Sequence, residues 1–266
     1  MKDVCLVIGN SHIRAFEGAF RQALADTGAL ATLRLEFVPA WFMEHPLVDL
    51  KGHLLFHRIT FKQYQNHPKI PTIFVPPSVP IHLVCMGLHD FGDGLIRRFG
   101  ELHAPNFAQS LGVRHTPILP CIADAPVILD DWPVVSRACA ERILQVTIAP
   151  LFTFIDALAG SSSIASATLV ASPPMTQRAG LARLGEAYVK SGQFAHMQEV
   201  ARSATSAPKR ARVIHHAPHL LSPEGFAQDA YAWRPAALLD IHVSEAFYQG
   251  AAVDVAARLT QKMATP

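Results

Sequence analysis

Val4-Cys5-Leu6-Val7-Ile8-Gly9-Asn10-Ser11-His12-Ile13 is the stretch from which the fold can be read. Val4 to Ile8 is a continuous apolar run, the pattern of a central parallel strand whose two faces are both covered. Gly9 permits a sharp turn. The period then changes: Ile13, Phe16, Phe20 and Leu24 recur at three- and four-residue spacing. That spacing predicts an amphipathic helix from about His12 to Ala25, closed near Gly28. The chain therefore opens as strand, tight turn, helix.

The same alternation continues outward. Leu33 to Val38 reads as a second strand and His82 to Met86 as a third, which runs into Gly87-Leu88-His89-Asp90. Between them Pro68, Pro71, Pro76, Pro77 and Pro80 break any long helix and predict loops or an edge element. Trp132 to about Ala159 fits one or two helices interrupted at Pro150. Ala167 to Ala171 gives a fourth strand, ended by Ser172-Pro173-Pro174. Leu181 to about Ala204 reads as helix, Arg212 to His215 as strand, and Ser244 to Met263 as the last helix, with Phe247, Ala251, Val255 and Leu259 on one face. Strands alternating with helices imply a mainly parallel sheet covered on both sides, a three-layer α/β/α arrangement of flavodoxin-like type. We find no repeat and no clear linker, so residues 1–266 are expected to form a single domain.

Apolar residues make up 50% and charged residues 17% of the chain, enough for a sizeable core and too little charge for disorder. The 23 basic and 21 acidic residues are dispersed, with no basic run beyond Lys209-Arg210-Ala211-Arg212, which argues against nucleic acid as a partner. No apolar run approaches the ~18–20 residues of a membrane span. The N-terminus enters a strand at once, without the pattern of a secretory leader. Cys5 and Cys85 lie in apolar strand-like runs, where a thiol behaves as a small hydrophobe. A cytoplasmic protein with reduced thiols is expected. The 14 histidines lack metal-ligand spacing, and most are read as surface groups.

In an open parallel sheet the reactive groups gather beyond the carboxyl ends of the strands. Ser11 sits there after the first strand, at the head of a helix whose free backbone donors suit a nucleophile. A serine in this place also suits a simple helix cap. The far end of the chain, Leu238-Leu239-Asp240-Ile241-His242-Val243-Ser244, puts a carboxylate two residues before a histidine at the start of the last helix. An acid that orients an imidazole, which takes a serine proton, is the general arrangement for an activated hydroxyl. Ser11, His242 and Asp240 are therefore the candidate catalytic residues.

On these blocks the chain resembles the SGNH (GDSL-type) hydrolases. Ile8-Gly9-Asn10-Ser11 is similar to the family's nucleophile block, with Asn10 in place of the usual aspartate. Asp240-Ile241-His242-Val243-Ser244-Glu245-Ala246-Phe247-Tyr248 is similar to its C-terminal block, although the family's acid stands three residues before the base, where this chain has Leu239. Gly87-Leu88-His89-Asp90 takes the place of a GxND block. The resemblance implies an oxyanion site formed by the N–H of Ser11, the N–H of Gly52 and the side chain of His89, whose imidazole N–H replaces an asparagine amide. It implies a serine esterase for a small-molecule or carbohydrate ester, an O-acetyl ester first, with no cofactor and no metal.

The Gly-Asn-Ser start also resembles the Gly-Asn-Cys start of acetyltransferase-like proteins of capsule polysaccharide biosynthesis, which would pass the acyl group to a sugar hydroxyl. A non-catalytic glycan-binding member of the fold is the third reading, prompted by the shifted acid and by His89. Other conspicuous residues have plainer readings. His215, His216 and His219 lack an acidic or cysteine partner at metal-ligand spacing. Asp90 and Asp93 suit turns or caps. Phe226, Tyr231 and Trp233 suit either a substrate pocket or ordinary packing.

Overall fold

The computed structural model describes residues 2–9, 12–39, 46–48, 54–56, 79–86, 120–130, 132–143, 145, 156, 159–160, 164–204, 210–236 and 242–263. The protein is a three-layer α/β structure built on a five-stranded, fully parallel sheet. Its strands are β1 (Asp3–Gly9), β2 (Leu33–Pro39), β5 (Ile81–Met86), β8 (Ile164–Val170) and β9 (Arg212–Ile214), in the spatial order β2-β1-β5-β8-β9. The chain thus builds outward from β1 in one direction, then returns and builds in the other. The reversal lies between β1 and β5, where such sheets place their ligands.

Both faces of the central strands are dry. Cys5, Val7, Val84, Met86 and Val170 point into one cluster, and their alternating neighbours Leu6, Ile8, Leu83, Cys85 and Leu169 are equally buried on the other side. The continuous apolar runs seen in the sequence follow from this double coverage. Burial also raises the pKa of the Cys5 and Cys85 thiols, and all four cysteines are free.

One face is covered by α1 (Ile13–Asp26) and α4 (Glu245–Met263), which lie side by side and run the same way. Near one end a Cβ on Gly18 would collide with the Glu245 carboxylate. Beyond the other end the Thr32 hydroxyl comes within 3.9 Å of Met263 Sδ. Phe16, Phe20 and Leu24 are fully buried between α1, the sheet and α4. Each contributes on the order of 1.5–3 kcal/mol of burial. The helix expected from the spacing of these residues is therefore present and points its apolar stripe inward.

A second cluster gathers α2 (Gln177–Lys190), α3 (Gln193–Ala204) and a small parallel pair, β6 (Cys121–Ile122) with β7 (Val134–Val135). Phe194 stacks on Phe226 at 4.2 Å between ring centroids, and Trp132 lies 4.8 Å from Tyr188. Two expectations need correction here. The single helix expected from Leu181 to Ala204 is two helices: Ser191-Gly192 separates them, with Gly192 at φ 75°, and α2 is itself kinked at Gly185, φ 81°. A positive φ cannot continue a right-handed helix, and glycine takes it without a Cβ penalty. The segment from Trp132 does not begin as helix either. Val134–Val135 pairs with β6 before helix starts at residue 137. A separate antiparallel pair joins β3 (Pro46–Val48) to β4 (Leu54–Phe56), within the irregular stretch between the second and third sequence strands.

Candidate active site

The register aligns the strand ends. Gly9 pairs with Met86, Met86 with Val170, and Val170 with Ile214, so these four residues form one line across the sheet. The close approach of β1 to β5 on this line explains Gly9: an added Cβ would lie 2.9 Å from Met86 Cβ and 3.1 Å from Met86 O. Beyond this line come His12, Ser172 and the His215-His216 pair, and α4 begins beside them.

His12 is buried and occupies the N-cap position of α1, with no side-chain capping bond. The N-cap position therefore falls one residue after Ser11, and the capping role weighed for that serine lies outside the described residues. The His12 ring lies 5.1 Å from the ring of His242, inclined at 42°, and 6.4 Å from the ring of Tyr248. The first turn of the chain and its last block thus meet above the end of β1. Ser11, Asp240, Gly52 and His89 lie outside the described residues. Of the expected catalytic and oxyanion set, the structure describes His242.

The backbone fixes His242. Trp233 N–H donates to His242 O at 3.0 Å, Ser244 N–H donates to Tyr231 O at 2.6 Å, and Ala232 pairs antiparallel with Val243. Val243 is fully buried and anchors this isolated bridge in the core. The partner segment is itself anchored on α2: Arg178 N–H donates to Asp229 Oδ1 at 2.8 Å, and the Arg178 guanidinium donates to Pro235 O. Tyr231 packs edge-on against Phe247, 5.7 Å between centroids. Phe226 belongs to the second core cluster and Tyr231 packs on α4, whereas Trp233 is 45% exposed.

His216 closes the far side. Its Nε2–H donates to Ala171 O at 2.6 Å, tying the end of β9 to the end of β8. Its ring packs 4.6 Å from Phe247 and 5.8 Å from Tyr248. Nδ1 is buried without a partner among the described residues, as is the Ser172 hydroxyl. Desolvation lowers the His216 pKa to about 4, with the nearby His215 acting the same way, while the Ala171 and Ser172 backbones oppose it. A half-buried imidazole that donates from Nε2 and is biased by desolvation toward its neutral form therefore stands behind Tyr248. Desolvation and the nearby Arg202 charge lower the pKa of His215.

Sequence reasoning missed His12, and it weighed His216 only as a metal ligand. Most histidines read as surface groups, and among the described ones His12 and His82 are the buried exceptions. His82 is buried in β5 and bridges Ser166 Oγ at 2.8 Å and Asp3 Oδ2 at 3.4 Å. The usable signal was positional: His12, Ser172 and His216 each follow a strand of the parallel sheet within three residues of its end. Among the described residues no three His, Cys, Asp or Glu side chains group as a metal site, and no helix is long and apolar enough to cross a membrane. The chain matches no protein-family model, no curated protein and no solved structure.

Proposed function

We propose that the protein is a serine esterase of SGNH type that hydrolyses a carboxylic ester, an O-acetyl group on a carbohydrate first among its substrates. The observation that supports this reading most is the 5.1 Å approach of the His12 and His242 rings, because His12 directly follows Ser11 in the chain. The residue that follows the proposed nucleophile and the proposed base, more than 200 residues apart in the chain, are neighbours beyond the end of β1, which supports the reading.

In this reading His242 takes the proton of Ser11 as its oxygen attacks the ester carbonyl, and Asp240 orients the imidazole. The N–H groups of Ser11 and Gly52, with the side chain of His89, receive the oxyanion. The imidazolium then returns its proton to the leaving alcohol, and water activated by His242 releases the acyl group. The backbone bonds on either side of His242 suit this role, since a base must hold its position within a fraction of an ångström. Similarity of fold alone would not carry an activity; the reading stands on the meeting of the two blocks. A cytoplasmic location belongs to the same reading.

A fluorophosphonate probe tests it. The wild type is expected to be labelled, and Ser11→Ala and His242→Ala to lose the label while retaining the wild-type circular dichroism. Persistent labelling of Ser11→Ala removes the nucleophile and the reading with it.

A further inference from the structure

The backbone of His242 is held by Trp233 N–H, but backbone bonds leave the torsions of its side chain to be settled elsewhere. The torsion at the ring itself has a broad and roughly two-fold profile, so the imidazole needs a neighbour to choose its plane. Ring packing supplies one. The ring centroid of His12 lies 5.1 Å from that of His242, inclined at 42°, within the range of attractive tilted contacts between flat rings.

His12 can serve as a wall because it is itself fixed. It is 5% exposed, and its carbonyl accepts from Ala15 N–H at 3.1 Å and from Phe16 N–H at 3.2 Å, which ties the residue into the first turn of α1. Tyr248, from α4, meets the His12 ring edge-on at 6.4 Å between centroids. Tyr248 is fully buried, and packs in turn against Phe16 at 5.9 Å and His216 at 5.8 Å. The His12 ring is thus bounded by both helices that cover this face of the sheet, and the less buried ring of His242 rests on it.

We infer that His12 is a positioning residue for the candidate base: its buried ring is the seat that sets the plane of the His242 imidazole. His12 also directly follows Ser11 in the chain. One turn would then carry both the proposed nucleophile and the seat of its base. Placement matters at this scale, since an error of about 1 Å between reacting groups can cost on the order of a hundredfold in rate. The assignment rests on the esterase reading for the reaction that His242 performs, and makes its own claim about what holds the ring.

The test compares wild type with His12→Ala, which removes the seat, His12→Leu, which fills the space without a flat ring, and His12→Phe, which keeps one. With p-nitrophenyl acetate, His12→Ala and His12→Leu are expected to lose roughly ten- to hundredfold in kcat with KM within about twofold, and His12→Phe to recover at least part of the loss. Leucine keeps the packing volume, so the comparison of His12→Leu with His12→Phe decides the matter even where the alanine variant does not fold. An unchanged kcat in His12→Leu, a loss carried by KM alone, or a phenylalanine variant no better than the leucine variant overturns the assignment.

A second arm requires no turnover. In nuclear magnetic resonance of protein carrying isotope-labelled histidine, the ring cross-peak of His242 is assigned by its disappearance in His242→Gln. His12→Leu is expected to shift this peak and to increase the picosecond-to-nanosecond motion of the ring, and His12→Phe to restore its rigidity. An unmoved peak with unchanged relaxation overturns the seat. A peak that responds as expected, in a protein that fluorophosphonate does not label, keeps the seat and removes the esterase. Labelling at Ser11, with kcat and the His242 peak both indifferent to His12→Leu, does the reverse.

Discussion

Replacing His216 by glutamine tests whether a neutral imidazole is built into the strand ends. Glutamine keeps an N–H able to reach Ala171 O and removes the titration. In the wild type the imidazole falls from an ordinary pKa of 6.5 to about 4 on folding. Between those values the unfolded chain takes up a proton that the native protein refuses, so stability is present in full above about pH 6.5 and is lost as pH falls toward 4. At about 1.4 kcal/mol per pH unit the whole span is worth about 3.5 kcal/mol, an upper value because part of the residue remains accessible. Between pH 7 and pH 4.5 the expected share is about 2 kcal/mol. Urea unfolding at these two pH values, for both proteins, isolates it. His216→Gln is less stable than wild type at pH 7, and the gap should narrow or reverse by about 2 kcal/mol at pH 4.5. Parallel losses in the two proteins would show that the imidazole is not buried neutral, and the account of this side of the site would fall.

Two further substitutions probe the frame. Gly9→Ala drives a methyl group into Met86 across the junction of β1 and β5, and overpacking of this kind costs about 1–3 kcal/mol; chemical denaturation should report that loss, and an unchanged midpoint would mean the strands separate easily there. Thr176 caps α2 by accepting from Ala179 N–H at 3.3 Å, so Thr176→Ala should cost about 1 kcal/mol in the same assay, while Thr176→Asp, which can still cap, stays near wild type.

How far the sequence could be read depends on what each element owes to local pattern. The central strands and α1 were legible because double coverage writes uninterrupted apolar runs, and a helix against a sheet writes a 3.6-residue stripe. The division between α2 and α3 was not, because apolar residues keep helical spacing on both sides of Gly192 and only its positive φ marks the break. Strand β7 has two residues, too few for any period, and exists only because Cys121–Ile122 lies beside it. In the site, the conjunction of the first turn with the last block followed from topology. His12 did not stand out and His216 was noticed only as a weak metal-ligand candidate, since an imidazole has no pattern of its own and its packing is decided by Tyr248 and Phe247, far from His12 in the chain.

The side-by-side seating of α1 and α4 sets a timetable for synthesis. Asp26 leaves the ribosome long before Glu245; at about 5–20 residues per second the interval is on the order of ten to fifty seconds. Throughout it the greasy flank of α1, including Phe16 and Phe20, waits without its mate. A nascent chain in that condition is a client for chaperones, and a product cut short before the last helix would carry the same bare flank permanently. Supplying the terminal helix as a separate peptide should rescue such a fragment, as one half of a zipper closes on the other.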